Sequence, residues 1–443
     1  MRTDFTEGKV TPELIRFTVP LVLGNIFQLL YNAVDSMIVG RYVGREALAA
    51  LGTSNPLMTL VILFFNGITL GAGILIGTQY GAKDYDKLRR QISTTMLGGL
   101  AFSLAVSVLF ILFARPVLTL IQVDDSVMEI SVGYLRIIFC GLVFTFAYNC
   151  LASILRAMGD STGPLIFLVI SSVLNVIGDF VLVARMGLGA DGAALSTVIC
   201  EALSCVFCLL YLRRRVPLLR MGKGWLVFDR ALFRITVAYG STSAMQQATV
   251  QLGKIGVQTI VNTMGVPVMA AFTIVNRIDD FAIVPQQNIG HALTSFMAIN
   301  RGAGRPDRVR EGFRRGMGIE IVYGLGISLI CFLFARPLVS LSTRDPEVIE
   351  HGVRYLRLIA LMYVVPGVTN GVQGYFRGMG DLRVTLISSM TNMGVRVAAA
   401  ALMVFALSME MEALPFSYLA GWIGMMLVEV PQLRRQLREG ILT

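Results

Sequence analysis

Residues 156–185 read RAMGDSTGPLIFLVISSVLNVIGDFVLVAR, and the fold class follows from this stretch. Its apolar run over 164–185 carries one ionisable side chain, Asp179, before Arg185 closes it. A helix rising about 1.5 Å per residue needs about 20 apolar residues to cross a bilayer core, so the run is long enough to be a membrane span. Its opening motif, Arg156-Ala-Met-Gly-Asp160, returns 221 residues later as Arg377-Gly-Met-Gly-Asp381. At the same offset Phe113-Ala-Arg-Pro116 returns as Phe334-Ala-Arg-Pro337, and Tyr134-Leu-Arg136 as Tyr355-Leu-Arg357. Gly81 also meets Gly302 and Gly44 meets Gly265; a four-residue deletion then brings Asn175 onto Asn392. The chain is a duplication.

Working outward, twelve candidate spans lie near 14–40, 52–80, 92–114, 127–150, 164–185, 190–211, 232–264, 268–297, 315–335, 353–373, 384–407 and 414–433. The 443 residues are 55% apolar and 15% charged, with a mean hydropathy of +0.69. A soluble globular enzyme of this length would carry about a quarter charged residues. The expected architecture is therefore an all-α integral membrane protein of twelve transmembrane helices. Because each half holds an even number of spans, the halves are parallel repeats, related by an axis along the membrane normal. They divide as an N-lobe at 1–212, a cytoplasmic linker at 213–231 and a C-lobe at 232–443.

Lys and Arg set the orientation. The termini and the loops after even-numbered spans hold 26 of them, against six in the loops after odd-numbered spans. The excess marks the cytoplasmic side and places both termini there. The net charge of +10 is thus mostly positive-inside anchoring, so nucleic acid is not expected as a partner and the bilayer is. The polar N-terminus lacks a small-residue cleavage site before the first span, so no signal peptide is expected to be removed.

Soluble chemistry is missing. There is no Walker A loop, HExxH or GxSxG. The single GxGxxG, at Gly187, Gly189 and Gly192, follows no strand and is expected to be a tight turn. The six cysteines stand in apolar runs without a CxxC pair, which assigns them to packing. The chain is expected to be no enzyme and to need no cofactor, and any work it does would draw on an ion gradient.

Ionisable residues inside spans are costly and therefore functional candidates. Asp35 lies in the first span, Asn175 and Asp179 share a face of the fifth, and Thr197 and Glu201 share a face of the sixth. Asp35 is six residues before Arg41, Asp179 six before Arg185, and Thr197 six after Asp191, so each sits about 9 Å inside the outer boundary. Three helices thus offer polar oxygens at one level, and two carboxylates, an amide and a hydroxyl suit a hard cation such as Na+, or a proton if desolvation and like charge raise one carboxylate's pKa. In the second half Arg396 stands opposite Asp179, and spans 7 and 8 carry Lys254, Arg277, Asp279 and Asp280. Counted this way the N-lobe interior holds three acids and no base, and the C-lobe three bases and two acids, so the cation site is expected in the N-lobe. The C-lobe charges are expected to pair internally, with a gating or substrate-carboxylate role for Lys254 and Asp279 as the alternative. Gly67-xxx-Gly71 on the second span is expected to be a close-packing device, and Pro20, Pro56, Pro285 and Pro366 mark expected kinks.

Taken together, LVLGNIFQLLYNAVDSMIVGRYVG in the first span, ILRAMGD, LNVIGDFVLV and GADGAALSTVICE resemble the multidrug and toxic compound extrusion (MATE) transporters, in their bacterial branch. The resemblance spans nearly the whole chain. It implies a V-shaped pair of lobes in a bacterial inner or plasma membrane, acting as a monomer and exporting amphipathic organic cations in exchange for Na+ or H+. It also implies an N-lobe ion site at Asp35, Asn175, Asp179 and Thr197, the set the depth argument selects, with Asn149 of span 4 as a further member. Relatives that bind their ion in the C-lobe carry an acid on span 7, where this chain has Gln246, Gln247, Gln251 and Lys254, which argues against C-lobe coupling. A lipid-linked glycan precursor flippase of the same superfamily is the alternative; it would need a basic cavity, to which Lys254, Arg277 and Arg396 would contribute.

Overall fold

The computed structural model describes residues 4–216 and 225–439, and among them helices account for nearly everything and no strand occurs. The first half contains α1 (Val10–Tyr42), α2 (Arg45–Gly81), α3 (Tyr85–Leu120), α4 (Asp125–Ala157), α5 (Thr162–Asp179), a π-helical turn at Phe180–Arg185 and α6 (Gly189–Arg215). The second contains α7 (Arg230–Val261), α8 (Val266–Gly302), α9 (Pro306–Leu333), the short α10 (Ala335–Ser340), α11 (Pro346–Ala360), α12 (Val364–Gly378), α13 (Leu382–Ala401), a second π-turn at Leu402–Ala406 and α14 (Ala413–Glu439). Nine of these are long and apolar enough to cross a membrane, and α11 with α12 makes a tenth span bent by 49°. The remaining two long helices, α7 and α8, are diluted by polar residues and by Arg277, Asp279 and Asp280, and they complete the twelve. The bend between α11 and α12 precedes Pro366, whose ring clashes with the carbonyl four residues back at Met362 and whose nitrogen lacks a hydrogen to donate.

Two compact units emerge, Val19–Ala244 and Asp4–Thr18 together with Met245–Thr443. The expected linker at 213–231 falls within the first unit where it is described; its residues 217–224 lie outside the described residues. What ties this region down is polar. Val227 and Asp229 donate backbone N–H groups to Ser93 (2.9 Å) and Thr94 (3.0 Å) on α3, and Gln91 donates to Thr236 on α7 (2.6 Å).

In the first unit α4 is central, with Leu135, Phe139, Phe146 and Leu155 fully buried among α2, α3 and α6. Gly71 lets α2 meet α7 backbone to backbone: a methyl there would stand 2.7 Å from the Gly240 nitrogen. The glycine pair is the expected packing device. In the second unit Tyr355 and Tyr363 are buried with Phe272 and Trp422, and Tyr375 is buried against Phe313 and Phe376. The segment Asp4–Thr18 belongs here because Arg308 donates to the carbonyls of Phe5 (3.0 Å), Glu7 (2.9 Å) and Gly8 (3.0 Å), while the Phe5 ring meets Phe17 and Phe296 edge-on at 5.1 and 5.2 Å.

The duplication reaches atomic detail. Gly159 and Gly380 both take positive φ, 84° and 81°, a conformation open to glycine. The acid after each then caps the next helix and pins the last one of its half. Asp160 accepts from Gly163 (2.9 Å) and the Tyr211 hydroxyl (2.7 Å); Asp381 accepts from Val384 (3.5 Å) and Gln436 (3.0 Å). Gly187 and Gly189 also take positive φ in the turn before α6, as expected of the GxGxxG.

Candidate functional site

The first unit gathers Asp35 on α1, Asn175 and Asp179 on α5, and Thr197 on α6. Asn175 and Asp179 are buried at 3% and 0% exposure; Asp35 and Thr197 are half-buried. The carboxyl groups of Asp35 and Asp179 are close enough to act on each other directly. The Asn175 amide donates to Ser196 (3.2 Å) and Thr197 (3.4 Å), and the Thr197 hydroxyl donates to the Ala193 carbonyl (3.1 Å).

That leaves a set of acceptors without donors. Asp35 Oδ1, Asn175 Oδ1 and both oxygens of Asp179 are buried and unpartnered. The Ser196 hydroxyl comes close to Asp179 but is committed to the Asn175 carbonyl (3.0 Å). Two carboxylates side by side in a water-poor site need either a shared proton or a cation between them. Unpaired buried oxygens of this kind fit a hard monovalent cation by type, since such ions take carboxylate, amide and hydroxyl oxygen. Among the described residues no group of three or more His, Cys, Asp or Glu side chains could hold a metal, so any ion here depends on Asn175 and Thr197 as well as the two acids.

The set is sealed at one end. One turn on from Asp35 stands Val39, one turn on from Asp179 stands Val183, and one turn before Thr197 stands Ala193. These three pack with Tyr134, Ile138 and Ala194 into an apolar cluster. Gly178 supplies the close approach on the other axis, since a methyl there would strike Ser196. Ser196 is the member the sequence reading passed over; its signal was its place beside Thr197 on the α6 face turned to α5.

Glu201 and Asn149 form a separate level. The Thr145 hydroxyl on α4 donates to Glu201 Oε2, and the Asn149 amide donates to the Thr145 carbonyl (2.8 Å). The structure therefore joins these two through Thr145, with Glu201 one α6 turn on from Thr197.

In the second unit Asp279 is buried and accepts from the Tyr363 hydroxyl. Arg396 is buried beneath aromatic rings, its guanidinium carbon 3.9 Å from the Tyr418 centroid and 5.6 Å from that of Trp422, a cation–π arrangement. Lys254, Arg277 and Asp280 are exposed. The charge count for this half needs correcting: it omitted Glu320 on α9 and Glu429 on α14, which are buried at 0% and 1% exposure. Glu429 accepts from Ser388 (2.9 Å), at the edge of a buried network in which Gln246, Gln373, Arg377 and Ser389 bond to one another.

Comparison with known proteins adds the family. The MatE family model matches residues 20–181 and 243–402, one match in each half. The chain is 30% identical over 407 residues to a probable multidrug resistance protein, YoeA, of Bacillus subtilis, covering 89% of this chain and 88% of the relative. It is 22% identical over 425 residues to a probable multidrug resistance protein, NorM, of Thermotoga maritima, covering 94% and 89%. Among solved structures, the outward-facing conformation of a multidrug resistance MATE family transporter of the MOP superfamily matches with a TM-score of 0.89 at 20% identity, covering 98% of this chain and 97% of that one. The twelve-helix fold expected from the sequence is the fold of that transporter.

Proposed function

The chain belongs to the MatE family of multi-pass membrane transporters, and from that premise we propose that it exports amphipathic, mostly cationic compounds from a bacterial cell by exchange for an inward-moving Na+ or H+. The relatives named as multidrug resistance proteins support drug efflux. The observation that carries the coupling is the group of four unpaired, buried oxygens on Asp35, Asn175 and Asp179. Such a group favours a bound positive charge, and its occupancy then biases the transporter between its access states. Both termini are assigned to the cytoplasm on the Lys and Arg asymmetry, and a monomer is the working unit.

The flippase alternative is disfavoured because Arg396, one of the three bases it needs, is buried beneath Tyr418 and Trp422. The test is flux of a fluorescent organic cation in proteoliposomes with sodium and pH gradients imposed separately. Asp35→Asn and Asp179→Asn should each abolish gradient-driven flux while the protein still inserts. Undiminished flux in both variants would overturn the assignment.

A further inference from the structure

The two halves overlay at the 221-residue offset bracketed by Gly44 with Gly265 and by Arg156 with Arg377. Under that overlay three buried positions change character together. In the first unit the rings of Phe65 and Phe146 meet edge-on at 5.4 Å, both fully buried, and Phe146 fills the space above Gly99. Their equivalents are Gln286 for Phe65, Gly367 for Phe146 and Glu320 for Gly99. Large and small partners are exchanged between the helices, and the dry aromatic contact becomes an acid beside an amide. A methyl on Gly367 would stand 3.4 Å from Glu320 Oε2 and 3.1 Å from Gln286 Nε2, so the two side chains flank one point.

Neither group is satisfied there. Glu320 and Gln286 are both 0% exposed. Gln286 donates Nε2 to the Tyr363 carbonyl (2.8 Å), while its Oε1 and both carboxyl oxygens of Glu320 have no partner. The titratable neighbours are Tyr323 on α9, whose hydroxyl donates to the Ala282 carbonyl (3.2 Å), Tyr363, and Asp279 further along α8. None is a base. An uncompensated carboxylate in a dry core is strongly unfavourable.

A second asymmetry falls at the same level. The span that runs unbroken as α4 in the first unit is bent by 49° between α11 and α12 in the second. Tyr363 lies in the break, with its carbonyl on Gln286 and its hydroxyl on Asp279. Gly324, one turn beyond Glu320, admits the break to α9: a methyl there would stand 3.0 Å from Val364 Cα. Broken spans beside unpaired acceptors are where membrane proteins hold ions.

We propose that Glu320 and Gln286 form a second site for one positive charge, separate from the Asp35–Asp179 set, filled either by a proton on Glu320 or by a sodium ion between the two side chains. The site is defined by binding and does not depend on the transport reading above. The experiment uses the full-length protein in detergent, in an Asp35→Asn/Asp179→Asn background that silences the first unit. Radioactive sodium binding and the infrared band of protonated carboxyl groups are followed against pH, with and without Glu320→Gln. Loss of one bound sodium per chain identifies the ion as sodium; loss of a pH-responsive carboxyl band with sodium binding unaltered identifies it as a proton. A Glu320→Gly/Gln286→Phe/Gly367→Phe variant, which installs the first unit's aromatic packing, serves as the folded control and should lose the same signal. If neither signal changes in either variant, or if the band Glu320→Gln removes does not respond to pH and no sodium is lost, the proposal is overturned.

Discussion

Asn175 and Ser196 hold each other in both directions: the Asn175 side-chain amide donates to Ser196 Oγ (3.2 Å), and that hydroxyl donates to the Asn175 carbonyl (3.0 Å). The pair of hydrogen bonds between α5 and α6 fixes which way the amide faces, and leaves Asn175 Oδ1 buried without a donor. Ser196→Ala removes both bonds at a cost of about 1 kcal/mol in stability. The larger effect should be on the ion: the concentration of sodium or protons for half-maximal transport is expected to rise several-fold. An unchanged ion dependence would mean that Thr197 alone orients the amide.

Gly71 and Gly326 should respond in opposite directions to one substitution. A methyl on Gly71 meets the Gly240 backbone, whereas nothing lies within 4 Å of a methyl on Gly326 in α9. Gly71→Ala should lower stability by about 1–3 kcal/mol through overpacking. Gly326→Ala should raise it, by up to about 1 kcal/mol, because alanine is the better helix former. Thermal melts of the purified protein in detergent compare the two directly.

Arg308 should not be replaceable by lysine. It serves three carbonyls of the Asp4–Thr18 segment at once, with Glu13 at 3.3 Å as a fourth partner. An ammonium group cannot reproduce the planar fork that reaches them together. Arg308→Lys and Arg308→Ala are both expected to make the segment before α1 cleavable by added protease under conditions where the parent chain is resistant. Resistance in the lysine variant would show that charge alone suffices.

Lys83 and Gly304 occupy the same turn in the two halves, with φ of 57° and 65°. A residue with a Cβ is strained there by about 1–2 kcal/mol. Lys83→Gly removes the strain but adds freedom to the unfolded chain, so the melting temperature should rise modestly, by the equivalent of about 1 kcal/mol. The mirrored Gly304→Lys should lower it.

Much of this is legible in the sequence. The repeat, the span count and the level shared by Asp35, Asp179 and Thr197 all follow from spacing, because a membrane forces length and depth onto the sequence. Ser196 was not legible, since a serine facing a neighbouring helix and one facing lipid are written alike. Glu320 is harder to read for a different reason: no second acid or amide within its own span marks it, as Asn175 marks Asp179, and its meaning depends on what stands across from it. Only contact shows that the helix across from Glu320 offers Gly367 where the other half has Phe146 against Gly99. The break between α11 and α12 was half visible, as Pro366, but proline in a span does not say how far the chain will bend.

The π-helical turn at Phe180–Arg185 begins directly after Asp179. Such a turn is an α-helix that has absorbed an insertion, and it converts the end of α5 into an adjustable length of chain. Deleting one residue there would restore the α-helical hydrogen-bond pattern locally, while the acid before the turn and the chain beyond it kept their positions. The other half has its own such turn at Leu402–Ala406, past Arg396. Single-codon insertions and deletions can therefore be taken up at this end of either half without disturbing the buried charge, which gives descendants of one duplicated gene room to vary in length there while inheriting the interior unchanged.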